Sequence, residues 1–260
     1  MTRALLSLSI VSHGHCELVN ALLGDLQKQC AAVDIEVLLT LNIPEDLPPL
    51  LASSRFRVKL IRNPAPLGFG ANHNQAFAQA EGDFFCVINP DVRMGSPVFD
   101  VLISSLANPA LGVAAPLVVN CQGLIEDSAR RFPTPLKILC KAAGGCRGGD
   151  YVVNTEPVYP DWVGGMFMLF RREVYRDMGG FDERYFLYYE DVDLCARIWL
   201  KGLSVALIPQ VSVIHDARRT SHQSASYLKM HIRSMLRFFL SPNFCRVMYL
   251  RMRRPDRRST

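Results

Sequence analysis

The sequence lacks most of the short signatures that announce a chemistry, and each absence removes a class of function. No CxxC pair occurs. The eight cysteines stand singly at 16, 30, 86, 121, 140, 146, 195 and 245, too dilute for a disulfide scaffold and without the spacing of a thiolate zinc knuckle. Most lie in apolar runs, as Cys86 does in FFCVI, where a free thiol behaves as a small hydrophobe. A reducing compartment is expected. No apolar run approaches the roughly 18 residues that span a bilayer, and clean runs such as Met166 to Phe170 have the length of a buried strand. The opening MTRALLSLSIVSHG lacks the long apolar region and small-residue cleavage site of an export signal. The expected location is therefore cytoplasmic. GxGxxG after a first strand is missing, as is GxxxxGK[ST], so GFG at 68–70 is no dinucleotide or phosphate-loop fingerprint. HExxH and a GxSxG nucleophile elbow are absent too.

What is present is ample apolar material. Of the 260 residues 49% are hydrophobic and 20% charged, enough to bury a sizeable core in one large domain or two small ones. The net charge of +5 is unevenly spread: residues 221–260 carry nine Lys/Arg and one Asp, a net of +8, which leaves −3 for the first 220. The basicity belongs to a tail. That predicts salt-sensitive contact with polyanions, not a specific nucleic-acid site.

Along the chain, ALLSLSIVSHG reads as a buried strand ending in a polar loop, and residues 17–30 place apolar side chains at helical spacing. IEVLLTLN (35–42) and RVKLIRN (57–63) are further strands. The loop NPAPLGFG then leads into the helical ANHNQAFAQAEG. DFFCVINPD (83–91) is apolar enough for a sheet interior covered on both faces. Such alternation predicts an α/β fold, a mostly parallel sheet with helices on both sides, whose ligands sit beyond the carboxyl ends of the strands. Ser12-His13, Asn42, Asn63 and Asn89-Pro90-Asp91 fall at that end. GVAAPLVV (112–119) adds a strand, whereas the glycines and prolines from Asn120 to Pro160 predict a loop-rich insertion. VGGMFMLF is strand-like, RREVYRDMG a short helix, EDVDLCARIWLKG a helix stopped by Gly202, and LSVALIP (203–209) a further strand.

Acids and a histidine mark the candidate chemistry. Asp91 at a strand end can hold a divalent cation through hard oxygen contacts, although Asn-Pro-Asp is also a turn motif. Asp182, Glu183, Glu190, Asp191 and Asp193 crowd around FLYY. First-turn acids favour a helix on structural grounds alone. Beside so much aromatic surface, desolvation can also raise a carboxylate pKa and improve it as a base. His215, after VSVI, can complete a metal site or contact phosphate, with a hydrogen-bonded loop histidine as the plain alternative. Arg218, Arg219 and Thr220 suit phosphate oxygens or a solvated charge run.

IVSHG, LIRNPAPLGFGANHNQAF, FFCVINPDV, DWVGGMFMLFRR, GGFDERYFLYYEDVDLCARIWLKG and VSVIHD follow one another over residues 5–216. In that order they resemble the family 2 glycosyltransferases of GT-A fold, most closely the bacterial rhamnosyltransferase branch. The resemblance implies a Rossmann-like GT-A catalytic domain at 1–220, its nucleotide-sugar half ending near 115 and its acceptor half following, with a basic amphipathic helical tail at 221–260. It implies that Asn89-Pro90-Asp91 stands for a DxD-type motif and that Asp91, with His215, holds Mg2+ or Mn2+. Asp191 of the Glu190-Asp191 pair becomes the catalytic base. Ser12, Asn42, Asn63, Gly68, Gly70, Asn72 and Asn74 join Asn89 and Asp91 around the donor, a nucleotide-diphosphate sugar. Trp162, Gly164, Gly165, Asp182 and Glu183 shape the acceptor side. One departure stands out: the family's Asp-Asn pair after the second strand is replaced by LLTLN, so Thr40 and Leu41 stand in for the acid while Asn42 survives.

The implied reaction is inverting transfer of L-rhamnose from dTDP-L-rhamnose to a saccharide or polyprenyl-diphosphate-linked acceptor in cell-surface polysaccharide synthesis. Another donor sugar, or a nucleotide-sugar-binding or scaffolding protein without turnover, is the alternative. In the tail, Leu228, Ile232, Met235, Leu236 and Phe239 form a helical stripe beside Lys229, Arg233 and Arg237, and Ser241-Pro242 opens a second helix. The stripe either packs on the catalytic domain or lies on anionic lipid. Because related enzymes extend lipid-linked saccharides, the second reading places the chain peripherally on the cytoplasmic face of the inner membrane.

Overall fold

Alternate side chains of the first strand, β1 (Leu5–Ser12), go to opposite faces, and both faces are buried. Leu6, Leu8 and Ile10 enter one apolar core, while Ser7 and Ser9 face the other side and are satisfied there. Ser7 Oγ donates to Glu36 Oε1 at 2.5 Å, and Ser9 Oγ lies 2.7 Å from His73 Nδ1. A strand buried on both faces belongs inside a sheet covered by helices.

The computed structural model describes residues 5–30, 33–142, 144–145, 149–215 and 225–253. After β1 come α1 (Cys16–Gln29), β2 (Asp34–Leu41), a single 3-10 turn (Pro49–Leu51), β3 (Arg57–Arg62), α2 (Phe69–Phe77) and β4 (Phe84–Ile88). Then follow α3 (Phe99–Ser105), β5 (Leu111–Val119), β6 (Ala129–Arg130), α4 (Pro135–Ala142), β7 (Trp162–Val163), β8 (Phe167–Arg171) and α5 (Arg172–Asp177). The chain continues through α6 (Glu190–Leu200), β9 (Ser204–Ile214), α7 (Ala225–Phe239) and α8 (Pro242–Arg253). Seven strands form one sheet in the order β3-β2-β1-β4-β8-β5-β9, with β8 antiparallel to both neighbours and every other pairing parallel. Side chains of α1 and α3 cover one face; those of α2, α5, α6 and the tail cover the other.

The expected mostly parallel α/β sheet is therefore present, with differences in detail. No α-helix joins β2 to β3; prolines 44, 48 and 49 allow only the short turn. LSVALIP and VSVI are one strand, β9, interrupted by a register slip, since Pro116 pairs with Ile208 and Leu117 with Ser212. β9 lies at a sheet edge, where the missing N–H of Pro209 is tolerated. The loop-rich insertion contains α4 and β6, the latter pairing with β7. Cys140 is disulfide-bonded, against the expectation that the cysteines are thiols, while six other cysteines are free.

The two expected tail helices form, and the expected stripe of α7 divides, Met235 and Phe239 packing against the core and its other members facing out. Phe238 and Ser234 of α7 and Val247 of α8 are buried, whereas Leu228, Ile232 and Leu236 are exposed. No helix among the described residues is long and apolar enough to cross a membrane. Arg218, Arg219, Thr220 and the arginines at 254, 257 and 258 lie outside the described residues.

Candidate active site

The carboxyl ends of β1, β2 and β3 present Ser12, Asn42 and Asn63, all buried. Parallel pairing in register brings them side by side, and their side chains build a loop. Asn63 Nδ2 donates to Asn42 Oδ1 at 2.8 Å and to Asn72 Oδ1 at 2.6 Å. Asn42 Oδ1 accepts from Leu67 N, and the Nδ2 groups of Asn42 and Asn72 donate to Leu67 O. The segment 63–68 is thus clamped by amides that leave no net charge. Asn74, one turn along α2, reaches elsewhere. It bonds both backbone groups of Phe181 and the Tyr175 hydroxyl, and donates to Glu183 Oε1 at 3.0 Å. Asp182 is held by Arg184 in a fork with bonds of 2.6–3.0 Å, which keeps its carboxyl below the ordinary range despite the opposing effect of burial.

Glycine is required where these segments meet. A Cβ on Gly68 would lie 2.6 Å from Phe186 O, and one on Gly70 would lie 2.6 Å from Phe181 Cβ. The 181–186 loop therefore rests directly on the start of α2, where Phe69 N donates to Phe186 O.

At the next strand end, backbone pairing sets the position of Asp91. Arg93 and Ile214 exchange two hydrogen bonds of 2.9 Å, and Arg93 is anchored through both guanidinium bonds to Asp25. This bridge lays the Asn89-Pro90-Asp91 turn beside the end of β9. Asp91 Oδ1 then lies 3.3 Å from His215 Nε2. A hard oxygen and an imidazole nitrogen converging there suit a divalent cation that takes its other ligands from water and phosphate. Among the described residues no cluster of three or more His, Cys, Asp or Glu forms a complete cage.

Glu190 and Asp191 open α6, and the turn before them is strained. Tyr188 and Tyr189 have φ of 70° and 69°, the left-handed region that glycine favours. Such residues cost about 1–3 kcal/mol each and persist where surroundings over-determine them. Asp191 Oδ2 accepts from Gly165 N at 3.0 Å and Oδ1 from Val192 N at 2.8 Å. Gly165 itself is wedged between the Phe69 ring and Asp191, so the LGFG, VGG and ED segments meet at one point. Burial raises the Asp191 carboxyl, against the pull of those two N–H groups and the Arg130 charge. Burial lifts Glu190 well above the carboxylate range, Asp191 adding to the effect, and its Oε2 has no hydrogen-bond partner. Trp162 lies beneath the Arg130 guanidinium, 5.4 Å from its carbon, and donates to Arg131 O. Gly164 N donates to Ser128 O.

The chain matches the family described as "Glycosyltransferase like family 2" over residues 52–239. It belongs to that family. It is 31% identical over 233 residues to the N-acetylglucosaminyl-diphospho-decaprenol L-rhamnosyltransferase of Mycobacterium tuberculosis, covering 77% of this chain and 73% of the relative. To rhamnosyltransferase WbbL of Escherichia coli K12 it is 28% identical over 188 residues, 66% of this chain and 69% of WbbL. Among solved structures, the Pyrobaculum calidifontis mannosyltransferase PcManGT, in complex with GDP-Man and Mn2+, superposes with a TM-score of 0.62 at 17% identity. That match covers 96% of this chain and 69% of PcManGT. GalNAc-T7 with UDP, GalNAc and Mn2+ gives 0.63 at 17%, with 83% of this chain and 44% of GalNAc-T7 covered. The fold is GT-A.

In this family 2 glycosyltransferase, several site features carry no sequence signal strong enough to find them. Glu45 is one. It returns a carboxylate to the end of β2, where Thr40 and Leu41 omit it: Oε2 accepts from Ser12 Oγ at 2.8 Å and Oε1 from Gly14 N at 3.0 Å. Arg130, Phe69 and the left-handed tyrosines are the others.

Proposed function

We propose that this glycosyltransferase moves L-rhamnose from dTDP-L-rhamnose, with inversion, to a hydroxyl of a lipid-linked saccharide in cell-surface polysaccharide synthesis. The observation that carries the chemistry is the Asp191 carboxylate, half-buried, raised in pKa and oriented by two backbone N–H groups. The rhamnosyl donor and lipid-linked acceptor follow from the names of the M. tuberculosis and E. coli relatives.

In this reading the donor occupies the carboxyl ends of β1 to β4. Ser12, Asn42, Asn63, Asn72 and Asn74 act mainly by shaping that pocket, Gly68 and Gly70 let the backbone approach, and Glu45 makes the nucleoside contact that Thr40-Leu41 omit. Asn89, Asp91 and His215 face the diphosphate, and Asp91 and His215 would hold Mg2+ or Mn2+. Such an ion neutralises charge developing on the departing diphosphate. Trp162, Gly164 and Gly165 form the acceptor junction, and Asp182 and Glu183 act there through the loop they brace. Asp191 takes the proton from the acceptor hydroxyl as it attacks the anomeric carbon from the face opposite the diphosphate. One displacement inverts that centre, and no enzyme nucleophile is used.

The acceptor's lipid gives a purpose to the outward face of α7. Leu228, Ile232 and Leu236 are 52%, 42% and 51% exposed, and Lys229 and Arg233 stand exposed beside them. A basic amphipathic face of that kind lies on anionic lipid. We place the domain boundary accordingly, with catalysis in 1–220 and membrane contact in 221–260.

The test is turnover against a panel of nucleotide sugars, with and without chelator, using soluble and lipid-linked acceptors, alongside sedimentation with anionic and neutral liposomes. Turnover with dTDP-L-rhamnose, abolished by chelator and restored by Mg2+ or Mn2+, is expected. Exclusive use of another donor overturns the rhamnose assignment, and turnover undiminished in chelator overturns the metal role. Equal sedimentation with both lipids, or by a Leu228→Gln/Ile232→Gln/Leu236→Gln variant, overturns the membrane contact.

A further inference from the structure

The inward face of α7 meets the strained turn before the acidic pair. His231, Ser234 and Phe238 are spaced by three and four residues, so they share one side of the helix. The His231 ring lies 5.2 Å from the Tyr188 ring and 5.4 Å from that of Tyr189, edge-on to both. Phe238, fully buried, lies 5.8 Å from the Tyr189 ring. Ser234 Oγ donates to Leu187 O at 2.8 Å, just before the turn. Beyond it, α8 contributes Asn243, whose Nδ2 donates to Asp193 Oδ1 at 2.9 Å, while Arg197 holds the other oxygen. The contacts run from Leu187 to Asp193 and so flank Glu190 and Asp191 in sequence on both sides.

That pattern adds specific contacts to ordinary packing. Phe238 is buried and Met235 and Phe239 pack against the same core, as a stabilising tail requires, but a histidine ring and a serine hydroxyl on the inward side are directed at the turn itself. The inward side chains match the turn: an edge-on ring for each tyrosine and a hydroxyl for the carbonyl that precedes them. Two consecutive left-handed tyrosines need such over-determination to persist.

We propose that α7 and α8 are a positioning element for catalysis, in which His231, Ser234 and Phe238 hold the Tyr188–Tyr189 turn in the conformation that sets Asp191 against Gly165. These are positioning residues that act through the turn and touch neither donor nor acceptor. The inference rests on Asp191 being the base. The His231 ring is the part that meets both tyrosines, so phenylalanine, which keeps a ring there, is the conservative variant.

The experiment measures kcat, donor KM and the pH dependence of kcat/KM with dTDP-L-rhamnose and the lipid-linked acceptor, for the full chain and its variants. Groups facing the acidic pair are Arg130 from β6, the Gly165 N–H from the β7–β8 loop, Tyr189, and the carboxyls themselves; His231 faces the tyrosines from α7. Loosening the turn admits water and lowers the raised carboxyl pKa, so the acid limb moves to lower pH. His231→Ala and Phe238→Ala are expected to lower kcat about tenfold or more, with donor KM little changed. Their acid limb moves down by about half a unit or more, and His231→Phe restores both. Leu22→Ala in α1, fully buried on the other face of the sheet, is the stability control: it lowers the Tm and leaves the limb in place. Full kcat in both alanine variants, or loss of activity with an unmoved limb, overturns the inference. Asp191→Asn is measured in parallel. Turnover retained there overturns the base assignment and this inference with it, whereas turnover lost there with a silent His231→Ala overturns the positioning role alone.

Discussion

Two parts of the cleft are built on opposite rules. On the donor side, segment 63–72 is held by neutral amides that satisfy one another and the backbone, and its close approaches fall at glycines. At the head of α6, two tyrosines occupy a glycine conformation, a buried carboxyl stands beside a half-buried one, and one carboxyl oxygen lacks a partner. Preorganised polar networks suit a surface that receives the same ligand in every cycle. A proton acceptor needs a carboxyl held away from its relaxed state, and strain gathers where that is arranged. Under the proposed mechanism the contrast separates residues that shape from residues that react.

The sharpest way to break the comparison is Asp191→Asn. The change keeps volume but leaves one oxygen for two donors that bond different carboxylate oxygens, so the N–H of either Gly165 or Val192 loses its acceptor. Turnover is expected to fall by about 10² or more, with donor affinity and Tm near those of the parent. A folded Asp191→Asn enzyme with near-normal turnover would make the reacting side indistinguishable from the shaping side. Asn63→Ala probes the other half. It removes a donor shared by Asn42 and Asn72 and leaves both buried oxygens short of a partner, at a cost of about 1–3 kcal/mol in stability. Donor KM should rise while kcat with saturating donor stays close to normal, as urea unfolding and initial rates would show. A collapse of kcat at saturating donor would place Asn63 among the reacting groups.

How far these two parts were legible in the sequence follows the same division. The sheet could be read because strands buried on both faces are nearly continuous apolar runs, as in FFCVI, and the polar residues at their ends stand out. Asp91 and His215 were readable as strand-end residues, and the structure brings them to 3.3 Å. Asn74 lies in the same sequence segment as the donor loop, and its side chain bonds Phe181 and Glu183, more than a hundred residues away. Nothing local forecasts that. Tyr188 and Tyr189 carry none of the glycine or asparagine signal of a left-handed turn, because α7 and the 181–186 loop impose it from outside. The inward face of α7 was equally hidden: it has apolar residues on more than one side, and the tyrosine rings decide which side turns in.

A smaller effect concerns His73, which lies under the donor loop and is fully buried beside Ser9, its Nε2 without a hydrogen-bond partner. Burial pushes its pKa down to about 3. The unfolded chain takes up this proton near pH 6.5 and the folded chain does not, so stability is full above about 6.5 and falls as pH drops below it. At pH 5 the loss is about 2 kcal/mol. Urea midpoints between pH 7.5 and 5 should record it, and His73→Gln should remove this component of the slope. An unchanged slope would mean that the shaping side is not as dry as its contacts imply.

The smallest expected effect sharpens the comparison most, because its sign differs from the others. Glu190 has its folded pKa raised well above the ordinary value by burial, with the neighbouring Asp191 charge adding to the shift. A carboxyl shifted upward binds its proton more tightly when folded. Its contribution to stability is therefore fully present below the unfolded pKa near 4.5 and is lost as pH rises through the raised folded value. Glu190→Gln replaces the carboxyl with a neutral amide of similar shape, and so should stabilise the protein by about 1 kcal/mol at pH 8, with the advantage shrinking toward pH 5. Glu190 still holds its proton where Asp191 ionises, so the same substitution removes no charge there and leaves the acid limb of kcat/KM in place while turnover persists. Chemical unfolding at the two pH values, with rates on the same samples, reads both effects. A destabilised variant would show that the amide loses a favourable contact of the carboxyl and that the head of α6 carries no stored cost. Turnover lost in Glu190→Gln and kept in Asp191→Asn would transfer the base role to Glu190, and the oxygen without a partner would then be the one that takes the proton.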